Sequence, residues 1–132
     1  MTEQEPQKAD LVITEDGSEL RAIASVLGRA GVHVLAAGFG AAAVQRSATR
    51  HDAIDLAIID MPKTRGADPE TLQALHDSWP GVRMLFLFSA EGEPAETGPA
   101  GHVRKYLRKP VRRAYLLGTV LKVLDAPSTF AA

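Results

Sequence analysis

Five short apolar runs punctuate the chain: LVIT (11–14), VHVLAA (32–37), DLAIID (55–60), VRMLFLF (82–88) and VRKYL (103–107). Three of them are almost continuously apolar, as parallel strands buried on both faces are. The stretches between them have helical spacing. In SELRAIASVLGRAG, Leu20, Ile23, Ala24 and Leu27 fall on one face, and Gly28 or Gly31 can end the helix. GAAAVQRSATRH supplies a second helix. In DPETLQALHDSWPG, Asp68 is the expected N-cap, Pro69 takes the first helical position, and Pro80-Gly81 stops the helix. A last helix, roughly 112 to 125, turns Leu116, Val120, Val123 and Leu124 inward. Strand-helix alternation with short loops predicts an α/β fold, a parallel sheet with helices on both faces.

A chain of 132 residues without an internal repeat suits one domain. The expected division is a lead-in at 1–9, a domain at 10–126 and a tail at 127–132. A net charge of -1 gives no dominant footprint for nucleic acid. The absence of cysteine excludes disulfides, thiolate nucleophiles and cysteine-ligated zinc. The start, MTEQEPQKAD, is too polar for a signal peptide. No apolar run approaches the ~20 residues that span a bilayer. The expected location is therefore the cytoplasm, with no membrane partner.

Ligands of such a sheet sit beyond the carboxyl ends of its strands, near a topological switch point. There the first run carries Glu15 and Asp16, the third Asp60, the fourth Ser89, and the fifth is followed by Lys109-Pro110. Three close carboxylates cannot all stay ionised without a counter-charge. Mg²⁺ supplies one, because it favours a few carboxylates plus waters and phosphate oxygens. Lysine adds a point charge for phosphoryl oxygens, and a serine hydroxyl can donate to one. A carboxylate can itself be the nucleophile, forming an aspartyl-phosphate. The set points to metal-assisted phosphoryl transfer onto an aspartate.

In order and spacing, Glu15-Asp16, Asp60, Ser89 and Lys109-Pro110 resemble the receiver domain of two-component response regulators. The 44-residue step from Asp16 to Asp60, the run PGVRMLFLFSA, and Tyr106 three residues before Lys109 fit the same pattern. The resemblance covers about residues 10 to 125. It implies a flavodoxin-like, doubly wound sheet of five parallel strands in the order 2-1-3-4-5. It implies that Asp60 is the phosphoacceptor and that Asp16 binds Mg²⁺ directly, with Glu15 acting through a water. The backbone carbonyl of Pro62 becomes a third protein ligand, which a proline can still supply. Lys109 pairs with the phosphoryl group, Ser89 hydrogen-bonds to it, and Tyr106 resembles the switch aromatic. Pro110 has a structural role, since a cis Lys109-Pro110 bond points the lysine into the site.

Each residue also has a plainer reading. Asp16-Gly17 can form a turn, with Ser18 capping the helix. Asp60 can merely end a strand, and Tyr106 can simply pack. Lys109-Pro110 can lie on the surface. Gly38-Phe39-Gly40-Ala41-Ala42-Ala43 formally matches a dinucleotide fingerprint, G-x-G-x-x-A, with Asp60 following 22 residues after Gly38. Too little chain follows it for a dinucleotide enzyme. Residues 104–113 hold six basic side chains in ten, which suit a charged strand edge and helix start better than a nucleic-acid contact. His33, His51, His76 and His102 show no metal-ligand spacing.

Two departures from the receiver pattern stand out. After Asp60, Thr64 and Asp68 hold positions where the family usually has proline and glycine. Between Ser89 and Lys109, Gly92, Gly98, Gly101, Pro94 and Pro99 disfavour a regular fourth helix, so a short or irregular one is expected. Only APSTFAA follows Asp125, so a stand-alone receiver is the expectation.

Such a domain is not an enzyme beyond its own phosphoryl transfer and autodephosphorylation. Its implied partners are a histidine kinase or phosphotransfer protein and a downstream protein. Its implied state is a monomer or a weak phosphorylation-dependent dimer. Two other readings remain: a pseudo-receiver that binds protein without phosphorylation, and a small nucleotide or flavin binder.

Overall fold

The computed structural model describes residues 9–51, 53–61, 69–88 and 104–125. In chain order the elements are β1 (Ala9–Ile13), α1 (Gly17–Arg29), β2 (His33–Ala37), α2 (Ala41–Ala48) and β3 (Leu56–Asp60). They continue with α3 (Pro69–Ser78), β4 (Arg83–Phe88), β5 (Arg104–Arg108) and α4 (Arg113–Asp125). The strands form one sheet in the order β2-β1-β3-β4-β5, and every neighbouring pair is parallel. This is the doubly wound order expected from the sequence. The segment expected to hold a short or irregular fourth helix, residues 90–102, lies outside the described residues, as do Pro62, Thr64, Asp68 and Ser89.

The unbroken apolar runs have a direct cause. Successive strand residues point to opposite faces, and both faces are covered. On one face Leu11, Ile13, Ala57, Ile59, Met84 and Phe86 pack with Val44 of α2 and with Leu72, Leu75 and Trp79. On the other, Val12, Leu56, Ile58, Leu85 and Leu87 pack with Ile23 and Leu27 of α1 and Leu116, Val120, Val123 and Leu124 of α4. Every residue of β3 is buried, which fits its place at the middle of the sheet.

Helix ends follow the sequence signals. Gly31, at φ 83°, takes the left-handed conformation just past α1. α3 begins at Pro69 and ends at Ser78, ahead of Pro80-Gly81. Gly40 is the N-cap of α2 at φ 107°, and its N–H donates to the buried Thr71 hydroxyl at 2.7 Å. The chain leaves β1 toward β2 and crosses back to β3 on the other side, so the switch point lies between β1 and β3. The G-x-G-x-x-A stretch instead follows β2, an edge strand, which removes the positional basis for a dinucleotide fingerprint. Among the described residues no helix is long and apolar enough to cross a membrane.

Candidate phosphoryl-acceptor site

The switch point brings the ends of β1 and β3 together. Ile13 pairs with Ile59, so the next residues, Thr14 and Asp60, stand side by side at the strand ends. Asp60 also pairs with Leu87 of β4, and its side chain is only 9% exposed. A carboxylate there needs partners, because burying an unpaired charge is costly. It has two. Lys109 forms an ion pair with Oδ1. The Thr14 hydroxyl donates to Oδ2 at 2.7 Å.

Lys109 follows β5, whose edge position opposite β4 sets the reach of the side chain. The Lys109 N–H donates to the Phe88 carbonyl at 2.7 Å, and the ammonium also donates to the Met61 carbonyl at 3.3 Å. The Lys109-Pro110 peptide is cis. The Lys109 side chain lies against the Asp60 carboxylate at the carboxyl end of the sheet.

The adjacent acids divide their roles. Asp16 is the N-cap of α1: its Oδ1 accepts from the N–H of Ser18 at 2.9 Å and of Glu19 at 3.2 Å. Two of the helix's orphan amides are thereby satisfied. Asp16, and not Ser18, is the cap. Its own N–H donates to the Thr14 hydroxyl at 3.0 Å. Glu15 is exposed. Among the described residues no group of three or more histidine, aspartate or glutamate side chains is placed to hold a metal ion. The expected three-carboxylate cluster is thus not assembled in this arrangement. The donor chemistry still fits Mg²⁺, which is commonly bound through one or two carboxylates with waters and phosphate oxygens filling the rest.

Two residues of the site were not singled out by sequence. Thr14 is one. Glu19, in the first turn of α1, is the other. It lines a groove of about 420 Å³ between α1 and the start of α4, together with Lys109, Pro110, Val111 and Leu116. Burial pushes its carboxyl above the usual glutamate range. The negative charges of Asp60 and Asp16 add to that rise, and Lys109 opposes it.

Tyr106 is half-buried and stacks on Phe86, with ring centroids 5.1 Å apart and planes 14° from parallel. It packs against the core face that carries Ile59 and Met84. The basic run around it is partly spent within the fold. Lys109 goes to Asp60, and the Arg108 guanidinium lies 5.6 Å from the centre of the Phe88 ring.

Neither a family model nor a curated protein matches the sequence. Solved structures do match its fold. The chain is similar to a response regulator from Thermotoga maritima, at 21% identity and TM-score 0.69, covering 92% of this chain and 100% of that one. It is similar to a response regulator receiver domain protein from Bacillus halodurans, at 21% identity and TM-score 0.70, covering 94% and 100%. The receiver domain of the hybrid histidine kinase CckA matches at 25% identity and TM-score 0.66, covering 89% and 99%. The protein has the fold of response-regulator receiver domains, and the resemblance seen in its sequence holds across nearly the whole chain.

Proposed function

We propose that this chain is a response-regulator receiver that accepts a phosphoryl group on Asp60 and signals through altered protein binding. The observation that carries this reading is the Lys109–Asp60 ion pair at the carboxyl end of the sheet, in a receiver fold. The donor is the phosphohistidine of a histidine kinase or a phosphotransfer protein. The likeness to the receiver of a hybrid histidine kinase supports a partner of that kind. An Asp60 carboxylate oxygen attacks phosphorus. The O–P bond forms, the P–N bond to imidazole breaks, and the electron pair leaves on the ring nitrogen. Lys109 stabilises the charge on the phosphoryl oxygens.

Mg²⁺, when bound, neutralises the phosphoryl oxygens; Asp16 and Asp60, Glu15 through a water, and the Pro62 carbonyl are the groups that would hold it. Ser89 donates to the phosphoryl group, and Tyr106 reports its arrival by changing its packing on Phe86. The domain is a signalling module and catalyses only its own phosphorylation and dephosphorylation.

Asp60→Ala tests the assignment. The variant is expected to keep its fold and to gain no phosphate from phosphoramidate or from a phosphorylated kinase. Equal phosphorylation of the variant would overturn the role of Asp60. A specific observation favours a second reading, a pseudo-receiver that binds protein without phosphorylation. Glu15 is exposed and no three-carboxylate group is assembled among the described residues. Loss of partner binding on Asp60→Ala supports the first reading, and unchanged binding with no Mg²⁺ uptake supports the second.

A further inference from the structure

Thr14 stands where the buried run of β1 meets the acids. The three residues before it, Leu11, Val12 and Ile13, are fully buried, and Thr14 is half-buried. An aliphatic side chain would continue that run. A hydroxyl at this point needs a reason, and its hydrogen bonds supply one. The oxygen accepts from the Asp16 N–H at 3.0 Å. A hydroxyl has a single proton, and here it is directed to Asp60 Oδ2 at 2.7 Å. An ionised carboxylate only accepts, so the direction of this bond is fixed.

The consequence lies in how Asp60 is held. Oδ1 meets Lys109 and Oδ2 meets Thr14, so the two oxygens have different partners on different strands' ends. Moving the side chain to another χ1 rotamer, or turning the carboxylate plane, breaks both bonds. Threonine is well suited to the task, because its branched β-carbon restricts χ1 and keeps the hydroxyl aimed. Its bond to an ionised acceptor belongs to the stronger class of hydrogen bond. The same hydroxyl ties the acceptor to the Asp16 backbone, and Asp16 caps α1.

We propose that Thr14 is a positioning residue for phosphoryl transfer: it anchors Oδ2 of Asp60 so that Oδ1, facing Lys109, is the oxygen presented to the donor. The proposal rests on the reading of Asp60 as phosphoacceptor. In the step it serves, the Oδ1–P bond forms and the donor's P–N bond breaks. The leaving nitrogen keeps the electron pair and takes a proton from solvent. Anchoring one oxygen while the other reacts keeps the attack aligned, which is how orientation lowers a barrier. The bond draws charge from Oδ2, the oxygen that does not attack.

The test uses the full chain with Thr14→Val, which keeps the shape and removes the hydroxyl, and Thr14→Ser, which keeps the hydroxyl. Two measurements are made on each. Proton–proton couplings at the Asp60 methylene read whether χ1 occupies one rotamer. Phosphorylation kinetics with phosphoramidate and Mg²⁺ give a limiting rate and a half-saturating concentration. The expected result is a single Asp60 rotamer in the wild type and Thr14→Ser, and averaging in Thr14→Val. The limiting rate of Thr14→Val should fall by about tenfold, as loss of one hydrogen bond to a charged group implies, with half-saturation unchanged. Thr14→Ser should recover most of it. If Thr14→Val keeps the rotamer, or loses it and reacts at the wild-type rate, Thr14 does not position the acceptor. If the wild type gains no phosphate on Asp60, the acceptor reading itself has failed and the positioning role goes with it.

Discussion

The ammonium of Lys109 bridges the Asp60 carboxylate and the Met61 carbonyl, the latter at 3.3 Å, from the far side of β4. One lysine thus closes the end of three strands. Its loss leaves a carboxylate that is 9% exposed with Thr14 as its remaining hydrogen-bond partner among the described residues. Lys109→Ala should destabilise the metal-free protein by about 1–3 kcal/mol, the cost of leaving a buried polar group poorly satisfied. Urea denaturation measures this. The same variant should show blunted spectral shifts on adding beryllofluoride, and unchanged shifts would remove Lys109 from the switch.

Asp16 has an observed duty, the helix cap, and a proposed one, Mg²⁺ binding, and substitution can separate them. Its carboxylate caps α1 through the Ser18 and Glu19 amides. Asp16→Ala should cost about 1 kcal/mol from the lost cap. Asp16→Ser keeps a capping oxygen and should retain most of that stability. Both variants should bind Mg²⁺ more weakly than the wild type. Thermal melts with and without Mg²⁺ distinguish the two effects: if Asp16→Ser binds Mg²⁺ as well as the wild type, Asp16 is a cap and nothing more.

Glu19 gives the site a pH signature. Its carboxyl in the folded protein titrates above its ordinary value of 4.5, with burial the largest cause. The folded state therefore binds more protons than the unfolded state between the two pKa values. Stability contributed by this group is present below about pH 4.5, the unfolded value, and is lost as pH rises through the raised folded value. Glu19→Gln should remove that loss and make the metal-free protein more stable at neutral pH. A stability difference that does not change with pH would mean that Glu19 sits in ordinary solvent.

The packing beneath Tyr106 predicts a different kind of effect. Phe86 is 2% exposed, and Tyr106 stacks on it. Phe86→Ala should cost about 3–5 kcal/mol, as deletion of a buried ring does. It should also shift the Tyr106 ring resonances, because the ring loses its stacking surface. Unchanged Tyr106 resonances would mean that the stack does not fix the aromatic.

Much of this was legible from residue order. Buried strands announced themselves by unbroken apolar runs, since each face of the sheet is covered. The meeting of Asp60 and Lys109 was legible because Asp60 ends β3 and Lys109 directly follows β5, and strand ends converge in a doubly wound sheet. Thr14 was not. Its hydroxyl bonds a residue 46 positions away, and the pairing depends on the β1–β3 register, which no local pattern encodes. Glu19 was not singled out because its neighbours in space come from β3 and the loop after β5. Asp16 was read as a metal ligand or a turn former, with Ser18 as the helix cap, because an Asp-Gly-Ser run offers two capping side chains and spacing alone cannot choose between them. Its cap bonds are formed in the fold.

The most direct measurement is an amide NMR titration with Mg²⁺ followed by beryllofluoride. A working receiver gives saturable shifts at Asp16 and Asp60 that spread along β5 to Tyr106. No shifts at millimolar Mg²⁺, and none on adding beryllofluoride, would contradict phosphoryl acceptance at Asp60 and leave the fold as a protein-binding module.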